Sequence, residues 1–391
     1  MRFNIINAKI VTLDSVIENG TLEIEDKNII GIREKEEIES GKEIETAKSD
    51  GVLDAAGKYV LPGIIDIHGD DLEGVISPRP STRFPIELAL LQADRKYVAW
   101  GITTKLHALS YYDDELKDRH AGASIEIMEA LECIEDKLLT EHFIHVRCEI
   151  GHEMKDAFEA IENRFVKLVS VMDHAPGQGQ FNDPAKYIEF HKGAYNLSDE
   201  FLEKLMKKKM DLSFSDLKLE KIREVARRAR DRNLLLASHD DDSPEHVEFL
   251  HSLGACLSEF PINLEAAKRA KELGMIISMG APNLILGRST ANNLSCREAI
   301  KAGAVDVLCS DYYPTSLLYS AFLLQKLELL PFPEAVKMIT LNAAKVMSME
   351  ESIGSIEVGK RANLIIVSEK DGMPVVSNTI VNGRLVYSAG G

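Results

Sequence analysis

Hydrophobic positions fall in short runs at both ends of the chain and in alternating short and long patterns between them. The first 58 positions read as strands joined by turns: Phe3–Ile10, Gly20–Glu25 and Asn28–Ile32. A stretch dominated by Glu and Lys follows from Arg33 to Asp50, and its lack of aromatic residues predicts a solvated loop or edge. The C-terminal end repeats the style. Asn363–Val367 reads as a strand, and Val375–Val381 and Arg384–Tyr387 flank Asn382-Gly383, a pair suited to a tight hairpin turn. Both ends are therefore β, and a small β-sandwich domain built from residues 1–58 and 350–391 is expected beside a central domain, 59–349.

The middle alternates. A buried strand ending near His68 is followed by a helical pattern, Ile86–Trp100, that stops at Gly101, a suitable helix terminator. Strands then appear at Ile102–Leu109, Phe143–Ile150, Val166–Met172, Leu234–Ser238, Cys256–Phe260, Met275–Met279 and Val305–Ser310. Helical patterns separate them: Ala121–Leu139, Met154–Asn163, a long region from Pro184 to Asn233, Pro244–Leu253, Leu264–Leu273 and Ser295–Ala302. Further helices are expected between Leu317 and Met347. Eight β segments alternating with helices predict an α/β fold of the (β/α)8 TIM-type barrel class. An open doubly wound sheet is the alternative, but no G-x-G-x-x-G follows any strand, which weighs against a dinucleotide-binding variant.

Catalytic groups in such barrels lie at the C-terminal ends of the strands. The first strand runs through Leu61-Pro62-Gly63-Ile64-Ile65 into Asp66-Ile67-His68-Gly69-Asp70-Asp71, so Asp66, His68 and Asp70 share one face. An imidazole and a carboxylate two residues apart can hold one divalent cation. The third strand places His145, Arg147 and Glu149 on one face. The fourth ends Met172-Asp173-His174, the fifth Ser238-His239-Asp240-Asp241-Asp242 and the eighth Ser310-Asp311. Singly, each has an ordinary structural role open to it: Glu149 can pair with Arg147, and Asp311 can cap the following helix. Together they point to a binuclear metal centre, because carboxylates so crowded without a cation would repel one another. Glu149 is the candidate bridge, since each of its oxygens can bind one ion.

Composition narrows the partners. The 391 residues are 45% hydrophobic and 28% charged, with a formal net charge of -17. Nucleic acid is not expected, because phosphate-backbone affinity comes from clustered Lys and Arg. A small anionic substrate is compatible with net negative charge, because a local site suffices to bind it. The five cysteines show no C-x-x-C spacing, which fits a reducing compartment. No apolar run approaches the roughly 18 residues of a membrane span, and Met1-Arg2-Phe3-Asn4 opens a strand rather than a signal peptide. A cytoplasmic protein without membrane contact is expected, and a homo-oligomer is left open.

Several segments resemble the amidohydrolase superfamily: Leu61-Pro-Gly-Ile-Ile-Asp-Ile-His68, Ile353-Gly-Ser-Ile-Glu-Val-Gly-Lys-Arg-Ala-Asn-Leu364, and Asp311 after the last strand. Others resemble a narrower branch, the diphosphatases of the carbon–phosphorus lyase pathway of phosphonate utilisation. These are His68-Gly-Asp-Asp-Leu-Glu73, Pro78-Arg-Pro80, Arg147-Cys-Glu149, Met172-Asp-His-Ala-Pro-Gly-Gln178, Ser238-His-Asp-Asp241, Glu259-Phe-Pro261, Met279-Gly-Ala-Pro-Asn283 and Ser310-Asp-Tyr-Tyr-Pro314.

The resemblance implies two divalent ions, Zn2+ or Mn2+, held by His68, Asp70, Glu149, His174, His239 and Asp311. The first strand carries His-x-Asp where most of the superfamily has His-x-His, and no carboxylated Lys is apparent. The count also sets His174 after strand four and His239 on strand five, where the superfamily usually uses five and six. The implied reaction is attack of a metal-activated water on a ribose methylphosphonate triphosphate, releasing diphosphate, with Asp311 as the proton acceptor. Arg79, Arg83, Arg147 and Arg288 are candidate clamps for the phosphates, Arg79 and Arg147 being favoured. His152 and His246 follow metal-bearing strand ends and are candidate phosphate contacts, while Gln178 and Asn283 are candidates for sugar or phosphonate oxygens. His107 reads as structural. Other chemistry on the same scaffold (cyclic-amide hydrolysis, deacetylation, deamination) and a non-catalytic subunit of a phosphonate-processing assembly stay open at this stage.

Overall fold

The computed structural model describes residues 2–34, 50–79, 81–112, 121–174, 216–291 and 293–389. Most of the charged stretch after Arg33, most of the helical region expected after Pro184, and Gln178 lie outside the described residues.

The N-terminal strands are β1 (Arg2–Val11), β2 (Val16–Glu25), β3 (Asn28–Arg33), β4 (Gly51–Asp54) and β5 (Tyr59–Pro62). The barrel strands follow: β6 (Ile64–Gly69), β7 (Ile102–Ser110), β8 (Glu141–Glu149), β9 (Val166–Met172), β10 (Leu235–His239), β11 (Leu257–Glu259), β12 (Ile276–Gly280) and β13 (Val307–Cys309). The chain ends in β14 (Leu364–Lys370), β15 (Met373–Val381) and β16 (Arg384–Ser388). The terminal strands form one continuous, mostly antiparallel sheet in the order β16-β15-β14-β5-β1-β2-β3, with β4 paired to β1. The two ends of the chain meet where β5 pairs with β14. Ile5, Ile10, Leu22, Ile24, Leu364 and Ile366 pack in its core.

The eight parallel strands β6 to β13 lie in chain order, each paired with its neighbour in sequence. All six residues of β6 are buried, as expected for a parallel strand covered on both faces. Helix Leu341–Val346 packs against β6, and helix Ile86–Ala99 lays an apolar stripe of Ile86, Ala89, Leu90, Ala93 and Tyr97 over the neighbouring β7. The terminal sheet sets the entry to the barrel: β5 passes through Gly63 straight into β6. A side chain at Gly63 would lie 2.3 Å from Thr103 Oγ1, so the Pro-Gly step reflects close approach of two strands.

Between β6 and β13 the barrel is closed by single contacts and not by a continuous ladder. Near the mouth, Asp311 N donates to His68 O and Asp70 N donates to Asp311 O, each at 2.9 Å. Near the base, Ile65 N donates to Ile339 O and Leu308 N to Met338 O. Between these, Asp66 takes the place of the missing strand partner. Its carboxylate accepts Ser310 N at 3.0 Å, Ser310 Oγ at 2.6 Å and Lys105 Nζ at 2.6 Å. Lys105 also pairs with Asp71 at 2.8 Å. Burial alone would lower the Lys105 pKa, but Asp66 and Asp71 outweigh it and raise it, so the amine stays charged. Removing one member of a fully buried pair strands the other charge. Lys105→Met is accordingly expected to cost about 3–5 kcal/mol in denaturant unfolding, and adding Asp66→Asn should recover part of that loss. Equal losses from the single and the double variant would remove the pair from the account of barrel closure.

No helix among the described residues is long and apolar enough to cross a membrane.

Candidate metal centre

The ligand-type side chains converge at the C-terminal mouth of the barrel. His68, at the end of β6, is buried, and its Nδ1 lies 3.1 Å from Glu259 Oε1 at the end of β11. The His145 ring stands edge-on to His68 with centroids 4.9 Å apart, and its Nε2 lies 2.9 Å from Ser170 Oγ. His239, ending β10, lies between two neighbourhoods. Its ring is 5.8 Å from that of His68 and 5.5 Å from that of His174. Its Nδ1 is 3.2 Å from Asp240 Oδ2, which is itself 3.4 Å from His174 Nε2.

Three strand-end residues adopt the left-handed backbone region: Asp240 at φ 53°, Phe260 at φ 53° and Asp311 at φ 56°. Asp tolerates that region, but a bulky Phe there is an outlier that the surroundings must enforce. Phe260 N donates to Ser278 O, and its ring packs edge-on to His68 and against His239, at 5.0 and 5.2 Å. The strained turn thus buttresses two of the histidines.

Burial sets the electrostatics. It pushes His68 well below the usual imidazole range, assisted by the Arg147 charge, and it pushes His145 down to about 3. Both rings are neutral at pH 7 and keep a lone pair for a cation. Burial opposes the charges on Glu149 and His174, but the two hold each other ionised. Glu149 Oε1 accepts His174 N at 2.9 Å, and Oε2 lies 2.6 Å from His174 Nδ1. Glu149 falls to about 2 and His174 rises to about 9. Burial and then the Asp70 carboxylate raise Asp311 to about 7.

The donor set fits a divalent cation. Both ring nitrogens of His239, Glu259 Oε2 and Asp240 Oδ2 are buried without a hydrogen-bond partner among the described residues. Two groups each bring three donor atoms within 4.8 Å of one another: His68, His239 and Glu259, and His174, His239 and Asp240. His239 belongs to both. If His174 ligates, loading the metal-free protein at pH 7 must displace its proton. Apparent affinity should therefore rise about tenfold per pH unit until about pH 9, with proton release detectable by calorimetry in buffers of different ionisation enthalpy. Uptake without proton release at pH 7 would exclude His174 as a ligand.

Of the six ligands expected from the sequence, His68, His174 and His239 enter these groups; Asp70, Glu149 and Asp311 stand beside them. Glu149 has both oxygens on His174, and Asp70 lies 3.9 Å from the Arg147 guanidinium. His174 follows the fourth barrel strand and His239 ends the fifth, as the pattern-based count has them. Asp240 and Glu259 gain a place as candidate ligands. The strand-end rule, applied to the sixth strand as to the others, was the signal available for Glu259.

The remaining candidates scatter. Arg147 is largely buried at the centre, with Nε lacking a partner among the described residues. His246 Nδ1 sits 3.1 Å from Asp241 at the rim, and His152 stacks on Tyr112 at 4.3 Å. Arg79 is exposed in a turn closed by Thr82, Arg288 is exposed, and Arg83 pairs with Glu126 on the surface. Asn283 is not free for substrate: its Nδ2 donates to Leu294 O and its Oδ1 accepts Cys296 N. His107 is structural, bonded to His142, which contacts Asp94.

A parallel barrel carrying imidazoles and carboxylates at its strand ends, flanked by a sheet from both termini, defines a class of hydrolases whose members depend on metal ions. Residues 101–386 match the amidohydrolase family, and the chain belongs to that family. It is 34% identical to the alpha-D-ribose 1-methylphosphonate 5-triphosphate diphosphatase of Escherichia coli K12, over 98% of this chain and 100% of that one. It is 25% identical to the imidazolonepropionase of Symbiobacterium thermophilum, over 96% of this chain and 92% of the relative. Among solved structures, dihydropyrimidinase from Brevibacillus agri shares the fold with a TM-score of 0.65 at 14% identity, covering 99% of this chain and 95% of that one.

Proposed function

We propose that this chain is a metal-dependent diphosphatase that hydrolyses alpha-D-ribose 1-methylphosphonate 5-triphosphate to the 5-phosphate and diphosphate; the substrate and the diphosphatase activity are those in the name of its Escherichia coli relative. The observation that carries the hydrolase reading is the His239 ring, buried between two ligand groups with neither nitrogen hydrogen-bonded. The substrate rests on the full-length 34% relationship. Two divalent ions, Zn2+ or Mn2+, suit the mixed imidazole and carboxylate donors. Bound there, they supply Lewis-acid activation of water and neutralise phosphate charge.

The chain's own residues do the rest. Asp311, whose carboxyl is raised to about 7, accepts a proton from the attacking water and returns one to the departing diphosphate. Arg147 lies 3.9 Å from Asp70 and its charge is felt at His68, so its guanidinium is placed to meet charge developing on equatorial phosphoryl oxygens. Its planar fork suits phosphate better than a Lys ammonium would. His246 supplies a second cationic contact at the rim: burial opposes its charge, but Asp241 raises its pKa.

The test is a substrate panel. Purified, metal-loaded protein is incubated with the ribose methylphosphonate triphosphate, with dihydroorotate and hydantoins, with imidazolonepropionate, and with N-acyl amino acids. Diphosphate from the first alone is the expected result. Ring opening or deacylation instead would move the protein to the cyclic amidases or deacylases of the same family, and no turnover on any member would favour a non-catalytic subunit.

A further inference from the structure

We propose that Glu259, at the end of the sixth barrel strand, is a direct metal ligand that completes a buried site with His68 and His239; this rests on reading the barrel mouth as a metal centre. Glu259 is fully buried, and its ion-pair partners among the described residues are two imidazoles, His68 at 3.1 Å and His145 at 3.5 Å. Buried carboxylates are as a rule paired or joined to a cation, and a carboxylate set among imidazoles is a donor set that suits a divalent ion. One oxygen, Oε2, has no hydrogen-bond partner among the described residues, and neither has His239 Nε2, which is equally shut off from solvent. One donor atom from each of Glu259, His68 and His239 lies within 4.8 Å of the other two.

The backbone holds Glu259 in this place. Its carbonyl accepts Asp240 N at 2.8 Å, and the next residue, Phe260, is forced to φ 53° with its ring against both histidines. A turn strained beside a buried carboxylate is the kind of over-determined geometry that accompanies function. The ligand set assigned here is two imidazoles and one carboxylate, all from strand ends, with the remaining positions of the ion open to water or substrate. Glu149 is then not needed as a ligand of this site, consistent with its two oxygens on His174.

A carboxylate can instead act one step out, orienting a metal-bound imidazole through its other nitrogen. Glu259→Gln separates the two roles. The Gln amide oxygen still accepts a hydrogen from His68 Nδ1, so an orienting role survives, whereas a neutral amide is a poor ligand. Metal-free wild type and variant are titrated with Zn2+ and with Co2+, bound metal is counted after gel filtration, and the visible Co2+ spectrum is recorded. The expected result is that wild type binds metal, and that Glu259→Gln binds one equivalent at least about 100-fold more weakly with an altered Co2+ spectrum, at or beyond the upper end of orienting-group effects. Glu259→Asp, which keeps the charge, should retain metal with a shifted spectrum, and it serves if the Gln variant does not fold. Unchanged stoichiometry and spectrum in whichever variants fold would overturn the assignment of Glu259 alone. Failure of wild type to bind either metal would overturn the metal-centre reading beneath it.

Discussion

Asp311→Asn is expected to lower kcat by about 10³-fold, within the range usual for a lost general acid–base, while leaving the metal content mostly intact. Asn is isosteric and is among the few residues that tolerate the left-handed region, so φ 56° costs it little. The contacts made through the backbone, Asp311 N to His68 O and Asp70 N to Asp311 O, survive the change and keep the barrel closed. What disappears is a carboxyl at the mouth whose pKa burial and Asp70 raise to about 7, where a group can both take and return a proton. Steady-state kinetics on the triphosphate ester with elemental analysis of the same sample checks this. Turnover within a few-fold of wild type would take the proton-transfer role away from Asp311. Loss of metal along with activity would make it a ligand first.

If the proposed pair of ions is present, His239→Asn should be the most damaging change to metal binding, removing both and lowering activity by at least about 10³-fold, an effect of the size expected when a site loses its activated water. Two candidate ligand groups share this one ring, and its Nδ1 lies 3.2 Å from Asp240 Oδ2. His174→Asn belongs to one group only and should retain one equivalent. Equilibrium dialysis of the two variants against Zn2+, followed by metal counting, distinguishes the shared ligand from the single one. Equal retention in the two variants would show that His239 does not join two sites. Chelation of wild type offers the matching control: activity is expected to fall and to recover on adding back a divalent metal such as Zn2+ or Mn2+.

Much of this site was legible in the linear chain. Burial of alternating or helical faces is a local property, so strand segments such as Phe143–Ile150 and Val166–Met172 were visible, and they emerge as Glu141–Glu149 and Val166–Met172. Because parallel barrels carry their chemistry where strands end, His68, Glu149, His174, His239 and Asp311 followed from the strand positions. The hairpin around Asn382-Gly383 was equally local: both residues take positive φ, at 50° and 71°. Less was visible in the side chains between those ends. Asn283 looked free to hold a substrate, but it is engaged by Leu294 and Cys296, eleven and thirteen positions away.

Sequence by itself determined the alternation of strands and helices in the central region, the β character of both ends, and which imidazoles stand at strand ends, because periodicity and chain order are written position by position. That Tyr59–Pro62 leaves the first barrel strand to pair with Leu364–Lys370 came only with the fold. Only the folded chain decided that the sheet closes through Asp66 on Ser310, across 244 positions, and that His68 meets Glu259, across 191. Closure rotates each strand about the barrel axis. Whether a strand-end carboxylate meets a ring, an amine or a backbone N–H then depends on the stagger of every strand between them, a sum that no short window of residues contains.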